Sequence, residues 1–453
     1  MLEQCGQASR NGSNAAPNRD NGIREGSCSI YHIPVYGQES NVPFHSCIFP
    51  YVLGSQRFRF FQQSCLWELA WATPPVSKVA RSNEETPITT VDIIVIGGGL
   101  AGSTLAWQAH RMGLSVALID RPSPRSCSRV AAGLVTPITG TRGAASWRWG
   151  EFYSAANSFY VHIESVTHRS FWRTEPAIHI YRNEAEKKVY QERWIENNPA
   201  TAREPITVTS LDDVALSKLR MPHGACSFEP AARLNTVAYL DATREYFESI
   251  NSYYAVDIQC DQDLDLQNSE HVRIHSLDLT GKRIALCQGF AARENALFSD
   301  LPLHPARGDI LEIESPNVEF QSIVHGDAWV VPTRNNCFLV GATYDRFELN
   351  DNVESNNEPA TRFRTELMSR WEAMVGGSFA AGDHIVLDQR AAVRPASFDR
   401  HPLLGQHKSL PNVFCLNGMG SKGTLMAPRL AHLLLESMQG NEIERSLNWR
   451  RRT

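Results

Sequence analysis

An uninterrupted apolar run from Ile93 to Ile96 gives way to glycines at 97, 98, 99 and 102, and then to a helical pattern leading into a second apolar stretch that ends at Asp120. A run without polar alternation suits a strand buried on both faces of a parallel sheet. Beyond it, strand and helix periods alternate along the chain, which predicts an α/β fold built on a doubly wound sheet. Residues 151–167 and 234–250 carry apolar side chains at helical spacing, with Tyr239, Leu240, Tyr246 and Phe247 available for packing in the second. Asn183 to Glu196 reads as a charged helix, and 359–375 as another. Arg283 to Gly289 is a buried-strand pattern ending in glycine, and 309–314, 328–333 and 337–343 read as successive antiparallel strands. A last apolar strand, Val413 to Leu416, precedes a helix rich in Leu and Ala from Ser421 to Met438.

Residues 1–88 differ from everything after them. They are rich in Ser, Asn, Gln and Gly, and their apolar patches lack a clear period, which predicts a poorly ordered N-terminal extension. Such a segment reads as a regulatory arm, or as upstream coding sequence if translation starts later; because no second Met precedes Met112, that start would use another codon near Val76 or Val79. The 10 cysteines form no C-x-x-C pair and no metal-ligand spacing, which argues against a metal site or a disulfide framework and for a cytoplasmic protein with reduced thiols. A formal charge of -5 gives no electrostatic footprint of a nucleic-acid binder, so no nucleic-acid partner is expected. Arginine clusters such as those at 147–149 and 450–452 read as solvated surface or local pairing. No segment has the apolar length of a signal peptide core or a membrane span.

The stretch VDIIVIGGGLAGSTLAWQAHRMGLSVALID at 91–120 combines strand, glycine turn, helix and second strand. Gly97, Gly99 and Gly102 fall in the G-x-G-x-x-G spacing: the first for a tight turn, the second for backbone approach to phosphate, the third for close packing of helix on strand. The helix N-terminus, with free N–H groups and a positive dipole end, suits a diphosphate, and Asp120 stands where a carboxylate accepts ribose hydroxyls. Near the other end of the chain, FCLNGMGSKGTLMAP repeats this logic, with glycines at 418, 420 and 423 before a helix. Two such helix starts suggest a two-ended ligand, with one turn holding the pyrophosphate and the other a polar ring edge. A helix dipole and N–H donors would stabilise the negative charge that collects on the N1–C2 edge of a reduced flavin. Lys422 would add a positive charge there, or is an exposed lysine on the first turn.

From about Val91 to Met438 the chain resembles the FAD oxidoreductases of the D-amino-acid-oxidase-like superfamily, which includes glycine oxidase and sarcosine oxidase. Four separated motifs carry the likeness in order: IIVIGGGLAG with Asp120; SRVAAGLVTP at 128–137; PARGDILEI and WVVPTRNNCFLVGAT within 305–343; and AVRPASFDRHPLLG with NGMGSKG within 392–423. The resemblance implies a Rossmann-like, glutathione-reductase-type FAD domain assembled from 89–150, 224–302 and 388–445. It also implies an α+β substrate domain with a mixed or antiparallel sheet, from 151–223 and 303–387. It assigns cofactor contacts to Gly97, Gly99, Leu100, Ala101, Gly102, Asp120 and Arg121 in the first unit, and to Arg129, Ala131, Ala132 and Gly133 in the second. Gly289, Gly418, Gly420, Ser421, Lys422 and Gly423 complete the set, although Cys287-Gln288-Gly289 departs from the family's A-T-G letters.

Arg394 matches the arginine that grips the substrate carboxylate in glycine and D-amino-acid oxidases, where a planar two-pronged donor fixes the acid and aims the adjacent C–H at the flavin. Alternatively it pairs with Asp388 or Asp399. Trp329 stands where the family often places an active-site aromatic, as a pocket wall or as core. Together with Lys422 these are the candidate catalytic residues. No cysteine stands in the R-P motif where sarcosine oxidase attaches its flavin, so non-covalent FAD is expected; Met419 replaces that enzyme's histidine, which weakens transfer of its substrate. The resemblance implies oxidation of a C–N bond of a small amine or amino acid by hydride transfer to flavin, with oxygen or another electron acceptor. Its rivals are an FAD-dependent tRNA wobble-base modification enzyme and a non-catalytic FAD-binding redox or partner subunit.

Overall fold

The computed structural model describes residues 88–140, 142–196, 205–211, 219–334, 336–346, 358–375 and 383–451. The expectation for the N-terminal extension lies outside them, apart from Ile88. Among these residues two eight-stranded sheets dominate.

In the first sheet Thr89–Ile96 runs parallel to Val116–Asp120 on one side and to Leu279–Leu286 on the other. Tyr253–Ala255 extends the sheet beyond Val116–Asp120, and Val413–Asn417 joins Leu279–Leu286, both in parallel. The apolar run at 93–96 is explained by burial on both faces. Ile93 and Val95 point into a core with Trp107, Phe159, Tyr239 and Leu430, whereas Ile94 and Ile96 face Ile274, Phe298, Leu403 and Trp449. The first of these cores is covered by helices Leu100–Arg111, Trp149–Thr167, Thr236–Ser249 and Gly423–Met438.

The second sheet is antiparallel except where Ile323–His325 runs parallel to Ala177–Ile180. Ala306–Glu314, Cys337–Gly341 and Trp329–Arg334 are neighbours in it, the succession expected from their alternating patterns. Helix Thr361–Met374 packs Leu367 and Trp371 on one face against Leu311, Phe338 and Val340. On the other face Ile310, Leu339 and Ala392 meet Val130 and Ala132.

Two elements differ from expectation. The charged helix at 183–196 begins on its Asn183 cap but is α-helical only over Glu184–Tyr190, and continues as wider π turns over Gln191–Glu196. There Trp194 donates to the Gly143 carbonyl at 2.9 Å, a tertiary bond that overrides helical propensity. Leu234 belongs to strand Ala232–Leu234, because Asn235 caps the following helix by accepting from Ala238 N–H. The arginine clusters are locally paired: Arg148 with Glu151 and Glu444, and Arg451 with Asp399.

Candidate active site

A cavity of about 630 Å³ lies at the carboxyl ends of the parallel strands, where open α/β sheets take their ligands. That volume is within the range of cofactor pockets. Gly97, Gly99, Leu100 and Ala101 border it. Gly97 has φ +102°, and a Cβ there would strike the Cys287 carbonyl. Gly98 N–H donates to Asp120 Oδ1 at 2.7 Å, tying the acid at the end of the second strand to the turn. Leu100 N–H donates to Ser128 Oγ at 2.9 Å, so the chain itself satisfies one orphan donor of the helix start. Asp120 and Arg121 both reach the cavity, and Arg121 also pairs with Asp257.

Gly102 does not border the cavity. Its Cα lies so close to the Gly97 carbonyl that a Cβ has no room, so it acts by seating the helix on the turn. Ala131, Ala132 and Gly133 form a facing wall, with Gly133 at φ +70° pressed on the Leu234 carbonyl. Arg129 departs from its expected place: an ion pair with Asp241 draws its guanidinium off the cavity.

Gly289 is on the wall despite the departure of its neighbours from the family letters, and its carbonyl accepts from Asn417 Nδ2 at 2.8 Å. That bond clamps the end of one parallel strand to the next. Gly420, Ser421 and Gly423 also border the cavity, and Gly423 sits against the Leu100 side chain, so the two helix starts converge on one space. Gly418 is off the wall: at φ +74° it turns the chain, and a Cβ would meet Leu403 at 2.6 Å.

Lys422 is the main correction. It is not a wall residue; its Nζ turns away and donates to Ser146 Oγ at 3.2 Å. Burial of the amine pushes its pKa down to about 8. The unfolded chain therefore holds this proton between pH 8 and 10.5 when the folded one does not, and folding stability rises with pH across that window. Lys422→Met is expected to be more stable than the wild type by up to about 3 kcal/mol at neutral pH, an advantage that fades toward pH 10.5. Urea unfolding of both proteins at several pH values tests this; an advantage that does not change with pH would contradict it.

Arg394 ends strand Ile385–Arg394 and projects into the cavity. Both carboxylates proposed as alternative partners are engaged elsewhere, Asp388 with Arg390 at 3.0 Å and Asp399 with Arg451 at 2.8 Å. Its recorded polar contacts are long ones to carbonyls, Nη1 to Arg307 O at 3.3 Å and both Nη atoms to Thr343 O at 3.4 Å. Burial lowers its pKa, opposed by Cys127, Tyr344 and Asp309 nearby. The guanidinium lies directly over Gly308, where a Cβ would overlap it. Gly308→Ala is therefore expected to displace it and raise KM for a carboxylate substrate about tenfold with flavin content unchanged, as steady-state kinetics and absorbance will show. Trp329 is a wall residue with its ring against Gly341.

The wall also holds residues that the sequence reading did not single out, Tyr344, Arg370 and His325 among them. Tyr344 presents its ring 5.8 Å from the Arg394 guanidinium carbon. Arg370 comes from helix Thr361–Met374 and pairs with Glu366. His325 pairs in register with His179, and its Nε2 is shielded and without a hydrogen-bond partner. Burial, with His179 and Lys422 adding to it, depresses the His325 pKa to about 3, so it faces the cavity as neutral imidazole. The signal available was a histidine closing the apolar pair Ile323-Val324.

A family model described as DAO, FAD dependent oxidoreductase, matches residues 92–437. The chain belongs to this family. It is an α/β enzyme that uses FAD, and the residues fit that cofactor: the cavity joins two helix starts, and at the first of its turns a Cβ on Gly97 would collide with the Cys287 carbonyl. The chain is similar to the tRNA 5-methylaminomethyl-2-thiouridine biosynthesis bifunctional protein MnmC of a Caulobacter species, with 28% identity over 347 residues, 76% of this chain and 53% of that protein. It spans about half the length of the first curated relatives it matches. Among solved structures, iminodiacetate oxidase from Chelativorans sp. superposes with TM-score 0.61 at 20% identity, covering 78% of this chain and 96% of that one. Glycine oxidase from Bacillus cereus gives 0.64 at 17%, with the same coverage. These two likenesses establish the fold. Among the described residues no helix is long and apolar enough to cross a membrane.

Proposed function

We propose that this FAD-dependent oxidoreductase oxidises the C–N bond of a small amine or amino acid bearing a carboxylate. The observation that carries the reading is Arg394, a part-buried guanidinium in the cavity wall with no carboxylate within ion-pair distance among the described residues. Non-covalently bound FAD supplies the hydride acceptor. The cofactor-binding part is read as 89–150, 224–302 and 388–445, and the substrate part as 151–223 and 303–387.

Gly97 to Ala101 and the start of helix Leu100–Arg111 would hold the pyrophosphate, and Asp120, which takes Gly98 N–H on Oδ1 at 2.7 Å and the Tyr253 hydroxyl on Oδ2 at 3.5 Å, would also accept hydrogen bonds from the ribose hydroxyls. The turn at 420–423 brings a second helix start to the same cavity, where its N–H groups and dipole would favour negative charge on the flavin ring. Arg394 holds the substrate carboxylate in a forked contact, with Tyr344 beside it, and so fixes the carbon that loses hydride. Trp329 and the walls at Ala131 and Ala132 exclude water.

Anaerobic mixing of the yellow protein with a panel of amines and amino acids tests the reading. Bleaching of flavin absorbance by carboxylate-bearing amines is expected; no bleaching by any of them would refute it. The likeness to the tRNA-modifying proteins supports a second reading, in which the amine is carried on a tRNA base. A steeply salt-dependent affinity for tRNA would support that reading.

A further inference from the structure

A second cavity, of about 370 Å³, lies behind the wall of the first and shares Ala131 and Ala132 with it. Arginines from four separate elements reach it: Arg129, Arg173, Arg233 and Arg390. Three have carboxylate partners: Arg129 with Asp241, Arg173 with Glu175, and Arg390 with Glu312 and Asp388. Arg233 is different. It donates through Nη1 to the Pro332 carbonyl at 2.6 Å, its Nε is shielded from solvent with no hydrogen-bond partner, and among the described residues no carboxylate stands within ion-pair distance. Glu175 lies near enough to influence it but is engaged by Arg173.

A part-buried guanidinium whose nearest opposite charge, Glu175, stands beyond ion-pair distance and is shared with Arg173 is incompletely compensated. Its surroundings add to the problem, because the start of helix Thr236–Ser249 opens on the same cavity and brings the positive end of its dipole. An oxyanion between Arg233 and that helix start would offset both. The rest of the lining includes Phe171, Trp172, Leu234 and Leu339, which would cover an apolar body.

We propose that this cavity is a binding site for a small organic oxyanion, a phosphate ester or carboxylate with an apolar body, separate from the substrate position at Arg394. Occupancy bears on the cofactor cavity through the shared wall, since Thr236 Oγ1 donates to the Ala131 carbonyl at 3.0 Å. The site is independent of the amine-oxidation reading.

Calorimetric titration of the FAD-loaded protein with phenyl phosphate, phenylacetate and inorganic phosphate tests it, and the two organic arms distinguish phosphate from carboxylate recognition. Performing the titrations in an Arg394→Met background removes the substrate position as a competing anion site. One saturable site is expected for at least one organic anion, tighter than for inorganic phosphate. Arg233→Met should weaken it at least about tenfold, equivalent to about 1.4 kcal/mol. Val237→Trp, which narrows the cavity and leaves the Arg233 side chain itself unchanged, should do the same and keeps the test open if the first variant fails to fold. The proposal is overturned by absence of saturable binding up to about 10 mM, well beyond the millimolar end of the affinity scale. Binding unaffected by Val237→Trp, or binding of single-stranded RNA but of none of the free anions, would overturn it equally.

Discussion

Replacing Arg394 by methionine is expected to raise KM for carboxylate-bearing amines by about ten- to a hundredfold, the loss of a charge-assisted contact of about 1.5–3 kcal/mol. Methionine retains the apolar stem's bulk and leaves Gly308 unobstructed, so the neighbouring backbone has no reason to move. The turnover number should fall as well, because the carboxylate anchor also aims the reacting carbon. Amines without a carboxylate gain nothing from the guanidinium and should show little change. Steady-state kinetics on matched substrates with and without the acid group separates these cases. An unchanged KM for every carboxylate substrate would remove Arg394 from the substrate position.

Gly102→Ala is expected to cost the protein its flavin altogether. The added methyl would overlap the Gly97 carbonyl, which is backbone and has no rotamer to escape into. The helix must then lift off the strand, carrying Leu100 and its bond to Ser128 out of place and opening the pyrophosphate turn. A destabilisation of several kcal/mol is in the range of severe steric substitutions, and loss of a tight ligand adds to it. Gly113→Ala is the control: Gly113 has φ +77° with nothing within 4 Å of a new Cβ, so it carries backbone strain of only about 1 kcal/mol. The ratio of flavin to protein absorbance after purification decides between them, and equal flavin retention in the two variants would contradict the packing argument.

Much of this site was legible in the sequence because its key parts are backbone features. Glycine spacing, the apolar run at 93–96 and the acid at 120 are local patterns, and local patterns fix turns, strand burial and helix starts. The turn at 420–423 could be read for the same reason. What failed was side-chain direction. Arg129 and Lys422 sit in the right segments, yet each follows a partner distant in sequence, Asp241 for one and Ser146 for the other. Gly102 packs helix on strand as its place in the glycine spacing predicts, but neither it nor Gly418, where a Cβ would meet the Leu403 side chain, borders the cavity as a cofactor contact would. His325, Arg370 and Tyr344 were missed because only strand pairing and helix docking bring them to the wall. The register that sets His325 beside His179 joins two strands with no sequence proximity.

The central sheet threads its strands out of chain order, and this has a bearing on synthesis. Leu279–Leu286 is the neighbour of Thr89–Ile96, and Val413–Asn417, which leads into the second glycine turn, is the last of these strands to be made. A nascent polypeptide therefore carries its first glycine turn long before the opposing turn is made. A cavity closed by both turns cannot form before Val413–Asn417 and the turn after it have been made, and until then the unpaired edge of Leu279–Leu286 is a surface for chaperones to shield.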